Sequence, residues 1–273
     1  MRICICLTLL LSAAVAPGQK PAPRLVAESA TPATTSTTST NPRSPAIVIG
    51  FVGGFIRHDD FVHGPVQLAA RIREEYPSGV YVKVFENHRG KSAYQDVLRL
   101  LDADRDGTLS VQEKQDARII IYGHSWGGSE TITLARQLQT DGIPVLLTVQ
   151  VDSIAKRGEN DSVIPVNVAH AVNFYQSNGL LHGRSQIRAA DPARTKVIEN
   201  FQFDYGAKPV QCTGYPWFAW AFEKAHIEIE CDPAVLNRIE SLIRSQLSPA
   251  ASARKPDGQS TSFPGLRPFE SAK

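Results

Sequence analysis

Arg118-Ile119-Ile120-Ile121-Tyr122-Gly123-His124-Ser125-Trp126-Gly127-Gly128 is the stretch from which the fold is read. An unbroken β-branched run turns through glycines into residues 129–140, where Ile132, Leu134, Ala135 and Leu138 share a helical face and Gly142 stops the helix. The stretch is therefore a buried strand, a tight turn and a helix. Working outward, residues 45–49, 80–85, 144–151 and 196–203 read as further strands. Helical spacing is expected at 66–75, 93–101 and 167–176, and a last helix opens at Asp232-Pro233, an N-cap followed by proline at the first helical position. Strands that alternate with helices and are apolar on both faces predict an α/β fold, a mostly parallel sheet with helices on both faces. Ligands then sit at the carboxyl ends of the strands. The short span between the strands ending at 151 and beginning at 196 leaves room for a minimal lid or none.

Both ends of the chain differ from this pattern. Met1-Arg2, an apolar run over 3–15 and then small residues follow the order of a secretory signal peptide, taken as residues 1–18. The run is too short for a stable membrane span, which needs about 20 residues. Residues 19–45, rich in Pro, Thr and Ser, read as a disordered linker, and 248–273 as a disordered tail. The folded unit is thus 46–247, and the chain is expected to be secreted or periplasmic. Of four cysteines, Cys4 and Cys6 lie in the signal segment, leaving Cys212 and Cys231. They either form one disulfide, whose loop closure contributes about 3 kcal/mol, or remain buried thiols. The 273 residues are 42% hydrophobic and 21% charged, with 29 basic and 27 acidic side chains, which excludes a disordered or fibrous chain. No basic stripe interleaved with aromatics points to nucleic acid.

Gly123-His124-Ser125-Trp126-Gly127 fits G-x-S-x-G, in which a serine occupies a strained strand-to-helix turn. The following helix directs free N–H groups at the site, and Trp126 N–H is the first donor for a developing oxyanion. The glycine turn after the first strand supplies the second, assigned to Phe51 N–H. A serine hydroxyl needs a base and an orienting acid, which in this architecture follow it in the order acid, then histidine. Among seven histidines, His226 lies after the last strand and before the last helix, where the base belongs. Asp152, at the carboxyl end of the 144–151 strand, is the acid that position favours; Asp161 is the alternative. Tyr205, Tyr215, Trp217, Phe218, Trp220 and Phe222 precede His226 as a pocket wall or as core.

On these residues the chain resembles the α/β-hydrolase superfamily, and within it the small secreted bacterial lipase-, esterase- and thioesterase-like proteins, over residues 46–247. Gly50-Phe51-Val52-Gly53 is similar to the family's oxyanion turn, with Ile49 where histidine is usual, and Asp161 with Pro165 resembles the turn that carries the acid in many relatives. The resemblance implies a serine hydrolase in which Ser125, Asp152 and His226 act on a small-molecule or lipid ester or thioester. No organic cofactor is implied.

Asp102-Ala103-Asp104-Arg105-Asp106-Gly107-Thr108-Leu109-Ser110-Val111-Gln112-Glu113 matches the twelve-residue EF-hand loop. Asp102, Asp104, Asp106, Thr108 (through its carbonyl), Ser110 and Glu113 are the expected ligands of a structural Ca²⁺. Lys114 departs from the apolar residue usual after the last ligand, and a solvated acidic turn is the alternative. Taken together, the expected function is a secreted serine hydrolase of carboxylic esters or thioesters; the alternative is a non-catalytic calcium-binding α/β module with a surface partner.

Overall fold

The structure is a computed structural model that describes residues 45–247. The expected signal segment (1–18), the linker up to residue 44 and the tail (248–273) lie outside the described residues.

The chain runs β1 (Ala46–Val52), α1 (Gly64–Glu75), β2 (Val80–Glu86), α2 (Gly90–Leu101), α3 (Val111–Gln115), β3 (Ile119–His124), α4 (Trp126–Thr140) and β4 (Val145–Val151). It continues through β5 (Val163–Ile164), β6 (Val168–Gln176), β7 (Arg188–Ala189), β8 (Lys196–Phe203), α5 (Trp217–Cys231) and α6 (Pro233–Leu247). Six strands form one sheet in the order β2-β1-β3-β4-β6-β8, and every pairing is parallel. β5 and β7 form a separate two-stranded sheet. The expected α/β fold is the fold observed.

Alternation along the central strands divides the core into two layers. Val48, Ile120, Leu147 and Val149 point to the face covered by α1 and α6. Ile47, Ile49, Ile119 and Ile121 point to the face covered by α2 and α4. Parallel strands covered on both faces have no polar side, and this is why they read as continuous apolar runs. The chain steps from β1 out to the edge strand β2 and returns to β3 on the other side of β1. That reversal opens a crevice at the carboxyl ends of β1 and β3. The turns that leave these two strands carry Gly53-Gly54 and Ser125.

Two sequence expectations are corrected. Residues 167–176 form the strand β6, hydrogen-bonded between β4 and β8, rather than a helix. Val168, Ala171, Val172 and Phe174 are all buried there, and their spacing fits a helical face as well as a strand covered on both sides. Residues 217–231, for which the sequence reading assigns no element, form the helix α5, whose backbone departs from helical geometry at Glu223 (φ −127°, ψ 21°). His226 therefore stands within a helix of its own, ahead of the last one. At the next junction Asp232 Oδ1 accepts from Ala234 N at 2.8 Å, so the expected cap of α6 is present. Cys212 and Cys231 are bridged, with Cα atoms 6.0 Å apart, which ties the loop before α5 to the end of that helix. Among the described residues, no helix is long and apolar enough to cross a membrane.

Candidate active site

Ser125 occupies the turn between β3 and α4 at φ 58°, ψ −126°, a conformation that costs a non-glycine residue about 1–3 kcal/mol. The surroundings hold it there. Its N–H donates to Val151 O at 3.0 Å, and its carbonyl accepts from Gly128 N at 2.9 Å and Ile154 N at 3.2 Å. The two motif glycines are required by close approach: a Cβ on Gly123 would overlap the Gly127 carbonyl, and one on Gly127 would overlap the Phe51 carbonyl. The turn packs directly onto β1, which brings the strand's exit beside the serine.

Asp152 lies one residue beyond β4, itself at positive φ (42°) and fully buried. Its Oδ2 accepts from His226 Nδ1 at 2.6 Å and Gln176 Nε2 at 2.8 Å, and its Oδ1 from Gly183 N at 2.7 Å. Burial works against the charge, but His226, and after it Gln176 and the Gly183 amide, outweigh burial and hold the carboxyl below its ordinary range. For His226, burial and then the charge of neighbouring His124 push the imidazole below its ordinary value, against the pull of Asp152. That shift favours the neutral imidazole, in which an Nδ1–H facing Asp152 leaves Nε2 free to take up a proton.

Asp161 is also buried, but its partners are Ser153 Oγ at 2.6 Å and the Arg184 guanidinium. Of the two aspartates left open by the sequence, Asp152 is the one in contact with His226.

Ser125 and His226 line one cavity of about 530 Å³ with Gly53, Phe55, Trp126 and Leu181. Ser125 Oγ makes no hydrogen bond among the described residues; such contacts commonly tighten only when substrate binds. Trp126 N–H, at the first position of α4, also lacks an intramolecular acceptor among these residues. Phe51, the expected second donor, does not reach the site. Phe51 lies inside β1, paired with both neighbouring strands and fully buried, and it does not line the cavity. β1 extends to Val52, two residues past the first glycine, so the turn begins at Gly53. The N–H groups of Gly53, Gly54 and Phe55 have no acceptor among the described residues, and all three residues line the cavity. Phe55 also stacks edge-on against Trp126, ring centroids 5.8 Å apart.

Of the expected aromatic wall, Tyr215 lines the cavity, Tyr205 is buried with its hydroxyl on Asp232, and Trp217 is largely exposed. The side chains of Phe218 and Phe222 lie outside the described residues. A group absent from the sequence reading borders the site: buried Glu230, contacted by His63 and Tyr215 and facing His124. The spacing His226-x-x-x-Glu230 is the signal that finds it, once residues 217–231 are read as a helix.

In the acidic loop, carboxylate oxygens of Asp102, Asp104 and Asp106 lie within 4.8 Å of one another. No ion pair reaches any of the three among the described residues. Asp102 accepts from the amides of Asp106 and Gly107, and Asp106 from Thr108 N. Glu113 folds back on the loop, accepting from Ala103 N at 2.7 Å and Ser110 N at 2.9 Å in a capping box on α3. The donor set is all oxygen and its three converging charges are uncompensated, which fits a hard cation such as Ca²⁺.

No protein-family model matches the chain, and no curated protein matches it in sequence. Solved structures similar to it include a cutinase-like protein from Cryptococcus sp. at 12% identity, covering 74% of this chain and 95% of that one with a TM-score of 0.39. An acetyl xylan esterase is similar at 11% identity, over 74% of this chain and 99% of that one, with a TM-score of 0.34. Est1E from Butyrivibrio proteoclasticus is similar at 12% identity, over 77% and 91%, with a TM-score of 0.37. At this level of likeness no activity carries over from those proteins, and the chemistry of this chain is argued from its own side chains.

Proposed function

We propose that the chain is a serine hydrolase that cleaves a carboxylic ester or thioester through an acyl-enzyme. The observation that carries this is that a backbone-strained Ser125 lines one cavity with His226, whose Nδ1 lies 2.6 Å from Asp152 Oδ2. Ser125 Oγ adds to the acyl carbon as its proton passes to His226 Nε2. The carbonyl oxygen becomes an oxyanion held by Trp126 N–H and an amide of the Gly53–Phe55 turn. Collapse of this intermediate breaks the bond to the alcohol or thiol, which leaves with the proton from His226. Water then repeats the sequence: His226 takes its proton, the hydroxide adds to the acyl carbon, and Ser125 departs reprotonated with the carboxylic acid released. Asp152 stays ionised throughout and stabilises the imidazolium.

Two further parts of the proposal have separate supports. Ca²⁺ held by Asp102, Asp104, Asp106, the Thr108 carbonyl, Ser110 and Glu113 is a structural ion, since the loop enters β3 at its amino end and Ser125 leaves it at the other. Export to an oxidising compartment is supported by the signal-like amino-terminal sequence together with the Cys212–Cys231 bridge.

Fluorophosphonate labelling, located by mass spectrometry, tests the assignment. Stoichiometric label on Ser125, lost in Ser125→Ala, is the expected result. A folded, calcium-supplied protein that takes no label overturns it and favours a binding module.

A further inference from the structure

Glu230 is buried on α5, one helical turn beyond His226, and three elements converge on it. His63, the N-cap residue of α1, places Nδ1 3.1 Å from both carboxylate oxygens. Tyr215, in the loop before α5, donates its hydroxyl to Oε2 at 3.0 Å. His124, the last residue of β3, turns Nδ1 toward Oε1 at 3.4 Å, a charge contact rather than an aligned hydrogen bond. The other nitrogen of His124 is committed to the main chain of the base: Nε2 lies 3.1 Å from the His226 carbonyl. The rings of His124 and His226 also face each other, with centroids 4.3 Å apart and planes inclined by 37°. A carbonyl oxygen only accepts, so Nε2 of His124 carries a proton, and the carboxylate beyond Nδ1 favours a second one there.

We infer that His124 and Glu230 form a positioning pair for the base, the imidazole clamping the His226 main chain and presenting to its ring a positive charge compensated from behind. The inference rests on His226 acting as the base of the proposed hydrolase. It explains why a carboxylate is buried where Asp152 already supplies the triad's acid. The pair also explains how His226 is kept neutral. Burial opposes a charge on His124, but Glu230 outweighs it and lifts that imidazole; burial likewise opposes the charge on Glu230, but His124, and after it His63, hold its carboxyl well below its ordinary range. The charged groups around His226 are Asp152 at the end of β4, His124 at the end of β3 and Glu230 on its own helix; Glu223 lines the same cavity. Asp60 stands behind His63, 3.9 Å from its Nε2.

The sign of the effect follows from distance. Removing the near positive charge in His124→Gln leaves Glu230 ionised and raises the proton affinity of His226. Glu230→Gln removes the compensating carboxylate, so the buried imidazole of His124 gives up its proton, and His226 loses a near positive and a farther negative charge together. His226 is then expected to titrate highest in His124→Gln, lower in Glu230→Gln and lowest in the unaltered protein.

The test is an NMR titration of the ¹⁵N-histidine-labelled full chain and both variants, alongside the pH dependence of kcat/KM on a 4-nitrophenyl ester and of fluorophosphonate labelling. The expected result is a rise of roughly one pH unit in the His226 midpoint for His124→Gln, matched by the acid limbs of both rates, a tenfold loss at fixed pH on that limb. Coincident midpoints in folded variants overturn the inference, since a merely structural role lowers stability without moving them. The glutamine of His124→Gln retains a donor for the His226 carbonyl, so this variant carries the test if Glu230→Gln does not fold. Shifted midpoints without any label on Ser125 overturn the hydrolase reading and uphold the pair; a labelled Ser125 with unmoved midpoints does the reverse.

Discussion

Asp152 and the loop Asp102–Glu113 both gather charge-bearing oxygens at the end of an element, yet they resolve the charge in opposite ways. Asp152 is fully buried and receives His226, Gln176 and the Gly183 amide from three separate parts of the chain. Asp104 and Asp106 are exposed, and with Asp102 they receive only amides of their own loop and the Thr108 hydroxyl, while no basic side chain pairs with them among the described residues. A buried carboxylate must be satisfied by the fold itself or it does not stay ionised. An exposed cluster tolerates repulsion in water and becomes ordered when a cation supplies what the fold does not. The first is a site completed by folding, the second one that, on the calcium proposal, a ligand completes.

Breaking the first region gives the largest expected effect. Asp152→Asn keeps the shape but offers an amide where His226 Nδ1–H needs an acceptor, favouring the wrong tautomer. A fall in kcat/KM of roughly 10⁴ is expected, by analogy with the same change in the well-studied serine proteases; steady-state kinetics on an activated ester checks it, and a loss under tenfold would remove Asp152 from the triad. The second region is probed by adding and withdrawing its ligand. Ca²⁺ at about a hundredfold over its Kd stabilises the folded state by about 2.7 kcal/mol, which for a domain of this size raises Tm by roughly 5–10 °C. Chelation reverses the shift, Asp104→Asn with Asp106→Asn abolishes it, and kcat/KM per folded molecule stays within about twofold. A Tm indifferent to Ca²⁺ and chelator alike leaves the loop a solvated turn.

The same contrast governs what the sequence disclosed. The acidic loop is contiguous, so the clustering of Asp102, Asp104 and Asp106 is legible without any knowledge of the fold. The turn at Ser125 is legible for a similar reason: Gly123, Gly127, the β-branched strand and the helix behind it are neighbours along the chain. β1, β3 and β4 were legible because burial on both faces leaves an apolar run, the partly buried edge strands β2 and β8 were legible without one, and β6 was misread because Val168, Ala171, Val172 and Phe174 suit either period. The pairing of His226 with Asp152 was reached by order along the chain, but its orienting partners Gln176 and Gly183 come from β6 and the loop after it, where nothing local marks them. Phe51 was assigned as a donor because the first glycine was taken for the start of the turn. The strand continues through that glycine to Val52, since Gly50 and Phe51 pair with β2 and β3 on either side. Glu230 escaped notice with the helix that carries it.

Asp161 sharpens the comparison with the smallest effect. It is buried in the segment that follows β4, as Asp152 is, and its partners are Ser153 Oγ at 2.6 Å and Arg184. Ser153 follows Asp152 directly, so Asp161 braces the backbone beside Asp152 without touching the imidazole of His226. Asp161→Asn retains an acceptor for the Ser153 hydroxyl and loses only the charge opposite Arg184, whose side chain is 40% exposed and can be rehydrated. Breaking a fully buried pair costs about 3–5 kcal/mol, whereas water at Arg184 reduces the expected loss here to about 1 kcal/mol. At roughly 2–4 °C of Tm per kcal/mol for a domain of this size, thermal unfolding resolves it. The pH profile of kcat/KM is expected to superimpose on that of the unaltered protein, because the charge removed does not face His226. A displaced acid limb at unchanged stability would mean instead that Asp161 acts on the base through Ser153, and the two aspartates would then form one relay rather than a triad member and its brace.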